Sequence, residues 1–231
     1  TTSDVGELPA DFDEQIPFVD GPRIVVVNGV IDRERSDVDT PDGLHLWSLA
    51  DVADSQPDLV RRHAERIGGA DAFTAYNLAY GTDGAVIVVD AGVEITRPIH
   101  VVDVAVPGVS TNTANTGVII HVGAGSSATV IESRLGVGAE FVGSNVRTTI
   151  TLDHDATLEH VVLQNLPLQQ VHLSGVEVTQ GERSTLRSRS FNLGASYGRL
   201  AYHVELAGPG AHVNLSGLFF GVGEQILDQQ I

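Results

Sequence analysis

The sequence predicts an all-β protein, a right-handed parallel β-helix of about 28 residues per coil, preceded by a small α/β segment with two short helices. Three observations lead there. Leu135, Leu163, Phe191 and Phe219 stand 28 residues apart in turn. A second column, Ala128-Thr129-Val130, Ala156-Thr157-Leu158, Ser184-Thr185-Leu186 and Ala211-His212-Val213, recurs at offsets of 28, 28 and 27. Inside each period, stretches such as Arg147 to Leu152, Val171 to Val178 and Leu200 to Leu206 alternate apolar and polar residues and are rich in β-branched types, as strands are. Self-similarity at this period marks a solenoid, whose coils bury their apolar faces only against one another. No ten-residue helical pattern intervenes, which disfavours leucine-rich and helical repeats.

In chain order, Thr1 to Gln15 is acidic and aperiodic and reads as a poorly ordered lead-in. Arg23 to Val27, Asn28-Gly29 and Val30-Ile31-Asp32 predict a hairpin closed by an Asn-Gly turn. Ser36 to Gly43 reads as a loop, and Leu44 to Leu49 is ambiguous. Ser55 before Pro57 predicts a capped helix carrying Leu59, Val60, His63, Ala64 and Ile67 on one face and stopped by Gly68-Gly69. Asp71 caps a second helix that ends at Gly81. Strands follow at Ala85 to Val89, Ile99 to Val102 and Gly117 to Val122, with Ser110 to Thr116 as a loop. Turns fall at Gly123 to Ser127, Asp153 to Asp155, Gln180 to Arg183 and Gly208 to Gly210. The expected division is 1–83 as N-terminal segment and 84–231 as β-helix core. The absence of methionine and of a capping element after Ile231 reads as a fragment, truncated at its C-terminal end.

Composition excludes several functions. Thirty acidic residues oppose 13 basic ones, all arginine, for a net charge of −17. That balance argues against nucleic acid and anionic membranes as partners. It fits a high-salt cytoplasm, or a GC-rich genome that replaces lysine by arginine. With no cysteine, disulfides and thiolate chemistry are excluded within the chain. No apolar run approaches the ~20 residues a bilayer requires, and no signal segment opens the chain. The expected location is cytoplasmic.

The search for chemistry yields five histidines as candidate metal ligands: His154, His160, His172, His203 and His212. Asp153, His154, Asp155, Glu159 and His160 lie within eight positions, a His/carboxylate group of the kind that holds Fe or Zn. Strand alternation sends Glu159 and His160 to opposite faces, and Asp153-His154-Asp155 occupies a turn, so a solvated turn is the preferred reading. His172, His203 and His212, on strands of different coils, are read as a ladder along the outside of the solenoid. Arg183, Arg187 and Arg189 alternate with Leu186 and Ser188 and are expected to pair with acidic side chains of an adjacent coil. Gly123-Ala124-Gly125 leads into a strand rather than a phosphate-cradling helix, so any ATP is bound by a partner.

Several stretches carry a family resemblance. Asp71-Ala72-Phe73-Thr74-Ala75-Tyr76-Asn77-Leu78-Ala79, Thr82 to Ile87, Ala91 to Glu94 and Pro98 to Val101 resemble the entry segment of the SufD family. Glu159 to Asn165, Gly208-Pro209-Gly210-Ala211, Leu215-Ser216-Gly217-Leu218-Phe219 and Gln225 to Asp228 are similar to it as well, and Phe18 to Gly21 with Val27-Asn28-Gly29 extend the likeness N-terminally. The resemblance implies a subunit of the cytosolic SufBCD complex, on which iron-sulfur clusters are assembled. It further implies a non-catalytic β-helix that pairs with its paralogue SufB, and a SufC-like ABC ATPase bound through a C-terminal region missing here. A cluster is then held transiently by the complex, with no cofactor bound stably by this chain, and in isolation the chain can pair with a second copy as a homodimer. A SufB-type paralogue is the nearer alternative, disfavoured by the absent cysteine. A β-helix polysaccharide lyase or hydrolase is the more distant one, although the single tryptophan, Trp47, lies outside the repeats.

Overall fold

A computed structural model describes residues 8–67, 71–108 and 113–231. The first sheet contains β1 (Arg23–Val27), β2 (Val30–Asp37), β5 (Ile99–Ala105), β7 (Ser127–Gly136), β9 (Thr157–Asn165), β11 (Thr185–Asn192) and β13 (His212–Phe219). The second contains β3 (Leu44–Ser48), β4 (Gly84–Val89), β6 (Thr113–Val122), β8 (Gly143–Leu152), β10 (Val171–Gln180), β12 (Tyr197–Leu206) and β14 (Ile226–Gln230). Their orders are β13-β11-β9-β7-β5-β1-β2 and β14-β12-β10-β8-β6-β4-β3. From β4 onward the chain alternates between sheets, and strands one coil apart pair in parallel: a β-solenoid, as the repeats predict.

The coils are less uniform than the period suggests. Register places Gly84 opposite Gly117, 33 residues on, and Thr113 opposite Gly143, 30 on. Val171 faces Tyr197 after only 26. Of the leucine and phenylalanine column, only Leu163 and Phe191 oppose each other; Leu135 faces Asn165 and Phe219 faces Asn192. Phe191 and Phe219 point to solvent, so this column belongs to the outer surface. The lumen is filled from the other parity. Leu158, Ile150, Val130, Ile120, Val178 and Leu186 are nearly inaccessible and lie in one cluster spanning all coils. Each such side chain contributes about 1.5–3 kcal/mol on burial.

The N-terminal segment closes the solenoid. The expected hairpin forms, with Val27 opposite Val30, and Asn28 and Gly29 both at positive φ (48° and 81°), the geometry that the twist of a two-residue turn requires. Antiparallel β2 and β3 cover the two sheets at this end, β2 against β1 and β3 against β4. Part of the predicted lead-in is ordered instead: Phe12, in a short 3-10 turn (Phe12–Gln15), and Ile16 pack on Val25, Val102, Val104 and Leu135. Residues 1–7 lie outside the described residues.

Among the described residues three helices, one more than expected, cover the outer face of the second sheet. These are α1 (Leu49–Ser55), α2 (Pro57–Ile67) and α3 (Ala72–Tyr80). Leu44 to Leu49, ambiguous in sequence, is β3 followed by the start of α1, which Ser48 caps by accepting from the Asp51 amide at 3.2 Å. Ser55, the expected cap of the following helix, ends α1, where its hydroxyl donates to the Asp51 carbonyl at 3.3 Å. Asp71 caps α3 as predicted, accepting from the Thr74 amide at 2.8 Å. The predicted Gly68-Gly69 stop lies outside the described residues. Val52 packs on Val86 and Ile119, and the buried Asn77 amide donates to the carbonyls of Thr116 (3.2 Å) and Asn145 (2.7 Å), tying α3 to two coils.

The loop predicted from Ser36 to Gly43 is present over residues 38–43, whereas the one predicted from Ser110 to Thr116 is strand where it is described. Ser36 and Asp37 finish β2, and residues 113–116 open β6; the remainder of the second loop, 110–112, lies outside the described residues. Ala114 and Thr116 are buried against neighbouring coils, and that packing overrides the turn propensity of Thr and Asn. No described helix is long and apolar enough to cross a membrane.

Candidate functional site

Strand alternation fixes which side chains enter the lumen, and parallel register stacks them in columns. One inward column of the first sheet reads Asp103, Arg134, Gln164, Asn192, and its neighbour Val101, Glu132, Val162, Ser190. Across the lumen, the second sheet supplies Ser144 and His172 in one column and Thr148, Val176 and Tyr202 in another. One half of the lumen is thus hydrocarbon and the other half polar.

Arg134 is the hub of the polar half and only 1% exposed. Its guanidinium donates to Glu132 at 2.9 Å and to the Thr148 hydroxyl at 3.3 Å, and faces His172 Nε2 at 3.5 Å. Arginine only donates, so His172 Nε2 accepts and its Nδ1–H points to Ser144 Oγ at 3.1 Å. Glu132 also accepts from Thr148 at 3.0 Å and from His160 Nε2 at 2.8 Å. His160 Nδ1 faces Ser188 Oγ at 2.9 Å, and Ser188 faces the Tyr202 hydroxyl at 2.9 Å. Asp103 accepts from Thr116 at 2.6 Å, with the Ser144 hydroxyl at 3.5 Å. The hydrogen bonds link both sheets across several coils.

The electrostatics follow from burial set against these partners. Burial pushes Glu132 upward, but Arg134 and the His160 contact outweigh it and bring the carboxyl down to about 2. Asp103 has no ion pair among the described residues, so burial prevails over the Thr116 hydrogen bond and raises it to about 6. Burial holds His172 well below its ordinary value, and the charges of Arg134 and Arg147 add to that.

The five candidate histidines are not brought together. His154 sits in the exposed turn beside Asp155 (3.2 Å), whose φ of 60° marks the tight bend. His160 and His172 are lumenal, on different sheets. His203 and His212 are exposed on the outer faces of different sheets, so the expected outside ladder does not form: His172 has the inward parity of Val176 and Val178. Among the described residues, no group of three or more His, Asp or Glu is arranged to hold a metal ion.

Other expectations are met. Glu159 and His160 do face opposite ways. Glu159, outside, takes Arg187 at 2.9 Å and Arg189 at 2.6 Å from the next coil, and Asp155 takes Arg183 at 2.7 Å. The Arg134, Glu132 and Asp103 network went unrecognised, although its signal was available: Glu132 shares the parity of Ala128 and Val130, and His160 that of Leu158 and Val162.

Comparison with known proteins decides the family. Residues 8–101 match the SufBD protein N-terminal region, and residues 106–231 match the SufBD core domain of the SUF system for FeS cluster assembly. The chain belongs to the SufB/SufD family. It is also 24% identical over 194 residues to an iron-sulfur cluster assembly SufBD family protein of Synechocystis sp., an alignment covering 80% of this chain and 43% of that relative. The chain therefore spans under half the length of the curated relative it matches. Membership in the SufB/SufD family connects the β-solenoid with iron-sulfur cluster assembly.

Proposed function

We propose that this chain is the SufD-like scaffold subunit of a SufBCD-type complex. It contributes a rigid β-helix and a partner surface, while the cluster is built at the level of the complex. The observation that carries this reading is the tandem match to both SufBD regions along almost the whole chain. The absence of cysteine supports SufD over SufB, since the SufB cluster site expects a thiolate. The run Leu215-Ser216-Gly217-Leu218-Phe219 supports the same choice. The partners are a SufB-like paralogue and a SufC-like ABC ATPase. ATP binding draws two ATPase subunits together, and the paralogous β-helices transmit that motion to the assembly interface. The lumenal network suits this role, because interior hydrogen bonds between sheets resist shear of one coil over another. Iron-sulfur cluster is cargo, held transiently.

The test is affinity purification of the full-length protein from its own cytosol at matched ionic strength. Recovery of an ABC ATPase and a second β-helix subunit in stoichiometric amounts is expected. Recovery of the protein alone would overturn the reading and direct attention to carbohydrate substrates.

A further inference from the structure

The polar half of the lumen poses a charge-balance problem. Arg134, buried, is matched against two buried carboxylates, Glu132 and Asp103. Glu132 holds the guanidinium directly at 2.9 Å, whereas Asp103 has no ion pair among the described residues and accepts only from hydroxyls. His172 cannot supply the missing charge while its Nε2 accepts from Arg134. With both carboxylates ionised and Arg134 as the one permanent cation among the described lumenal residues, the lumen carries one uncompensated negative charge in a low-dielectric interior, which is strongly unfavourable. The remaining groups facing this space are His160, on the far side of Glu132, and the Tyr202 hydroxyl beyond Ser188.

We propose that the lumen is neutralised by one extra proton and that Asp103 carries it, so that the coils around Asp103, Thr116 and Ser144 tighten on the acid side of neutrality and loosen on the alkaline side. A protonated Asp103 keeps the Thr116 hydroxyl on one oxygen and donates from the other towards Ser144. Loss of that proton leaves a bare carboxylate facing two hydroxyls. Burial, which moves Asp103 from 3.8 to about 6, agrees with this assignment. Because the folded value lies above the unfolded one, the contribution is complete below 3.8 and is lost as pH rises through about 6. His100 and His172, both depressed by burial, act in the opposite sense, so the effect is read as a difference between variants.

Asp103→Asn in the full-length chain removes the titration and keeps the shape. The thermal midpoints of variant and parent should lie within a few degrees near pH ~5, with the variant pulling several degrees ahead near pH ~8. A gap that stays constant with pH, or opens in the other direction, overturns the proposal. If the variant does not fold, carboxyl and imidazole NMR of the parent protein decides. A protonated Asp103 near pH ~5 that titrates near neutrality supports the proposal; an ionised Asp103 beside a His160 imidazolium places the proton elsewhere and overturns it.

Discussion

The two halves of one lumen hold the coils together by different physics. In the apolar half, Ile120, Ile150, Leu158 and Leu186 stack from coil to coil, and each contact is short-ranged and replaceable in kind. In the polar half, Arg134 and Glu132 engage His160, His172 and Thr148 from both sheets, so one side chain fixes several others. Removing a group from the first half leaves a cavity; removing one from the second leaves an uncompensated charge. The polar half should therefore be the more fragile to single substitutions and the less fragile to paired ones.

The largest effect is expected at the hub. Arg134→Met should lower unfolding free energy by about 3–5 kcal/mol, because Glu132 then stays buried without its cation. Adding Glu132→Gln should restore a large part of that loss in chemical denaturation, whereas additive losses would show that the pair is not coupled. In the apolar half, Leu158→Ala should cost about 2–5 kcal/mol, with no such rescue by a second truncation.

Next comes a steric test. Gly175 lies beside Arg147, whose Nη1 occupies the place where a Cβ would stand. Gly175→Ala must displace a side chain that is only 3% exposed, at about 1–3 kcal/mol in thermal unfolding. Acid titration separates the halves further. The Glu132 carboxyl, held at about 2 against 4.5 when unfolded, contributes stability above 4.5 that is lost as pH falls towards 2. Glu132→Gln should flatten that acid limb, while Leu158→Ala should leave its shape intact. The smallest effect belongs to the outside. Arg187→Ala breaks a solvent-exposed pair with Glu159 and should change stability by about 1 kcal/mol or less, shrinking further in high salt.

What the sequence revealed follows the same division. Alternation and turn residues located the coils, because each strand needs one apolar face, and the Glu159 pairs with Arg187 and Arg189 were readable from charge and spacing. The equal 28-residue column misled in detail: coil lengths vary from 26 to 33, and Phe191 and Phe219 are outer residues. The lumenal network is hidden because buried charge contradicts the rule that inward positions are apolar, and although Glu132 lies on the same strand as Arg134, the groups that complete the network stand one coil or one sheet away. His172 illustrates this: its partners Arg134 and Ser144 lie 38 and 28 residues earlier, beyond any local pattern. Likewise α1 was hidden because Leu49-Ala50-Asp51-Val52 is too short to show a helical period.

In the proposed scaffold role, the lumen is a structural tie between coils rather than a reaction centre. The most direct measurement is iron-sulfur cluster assembly by the reconstituted complex carrying full-length Glu132→Gln/Arg134→Met, a pair that removes the lumenal ion pair while keeping its approximate shape. A folded complex of unchanged stoichiometry that assembles clusters within about twofold of the parent rate, a difference of under ~0.5 kcal/mol, is expected. A folded, correctly assembled complex that has lost cluster formation tenfold or more would contradict it and assign chemistry to the lumen.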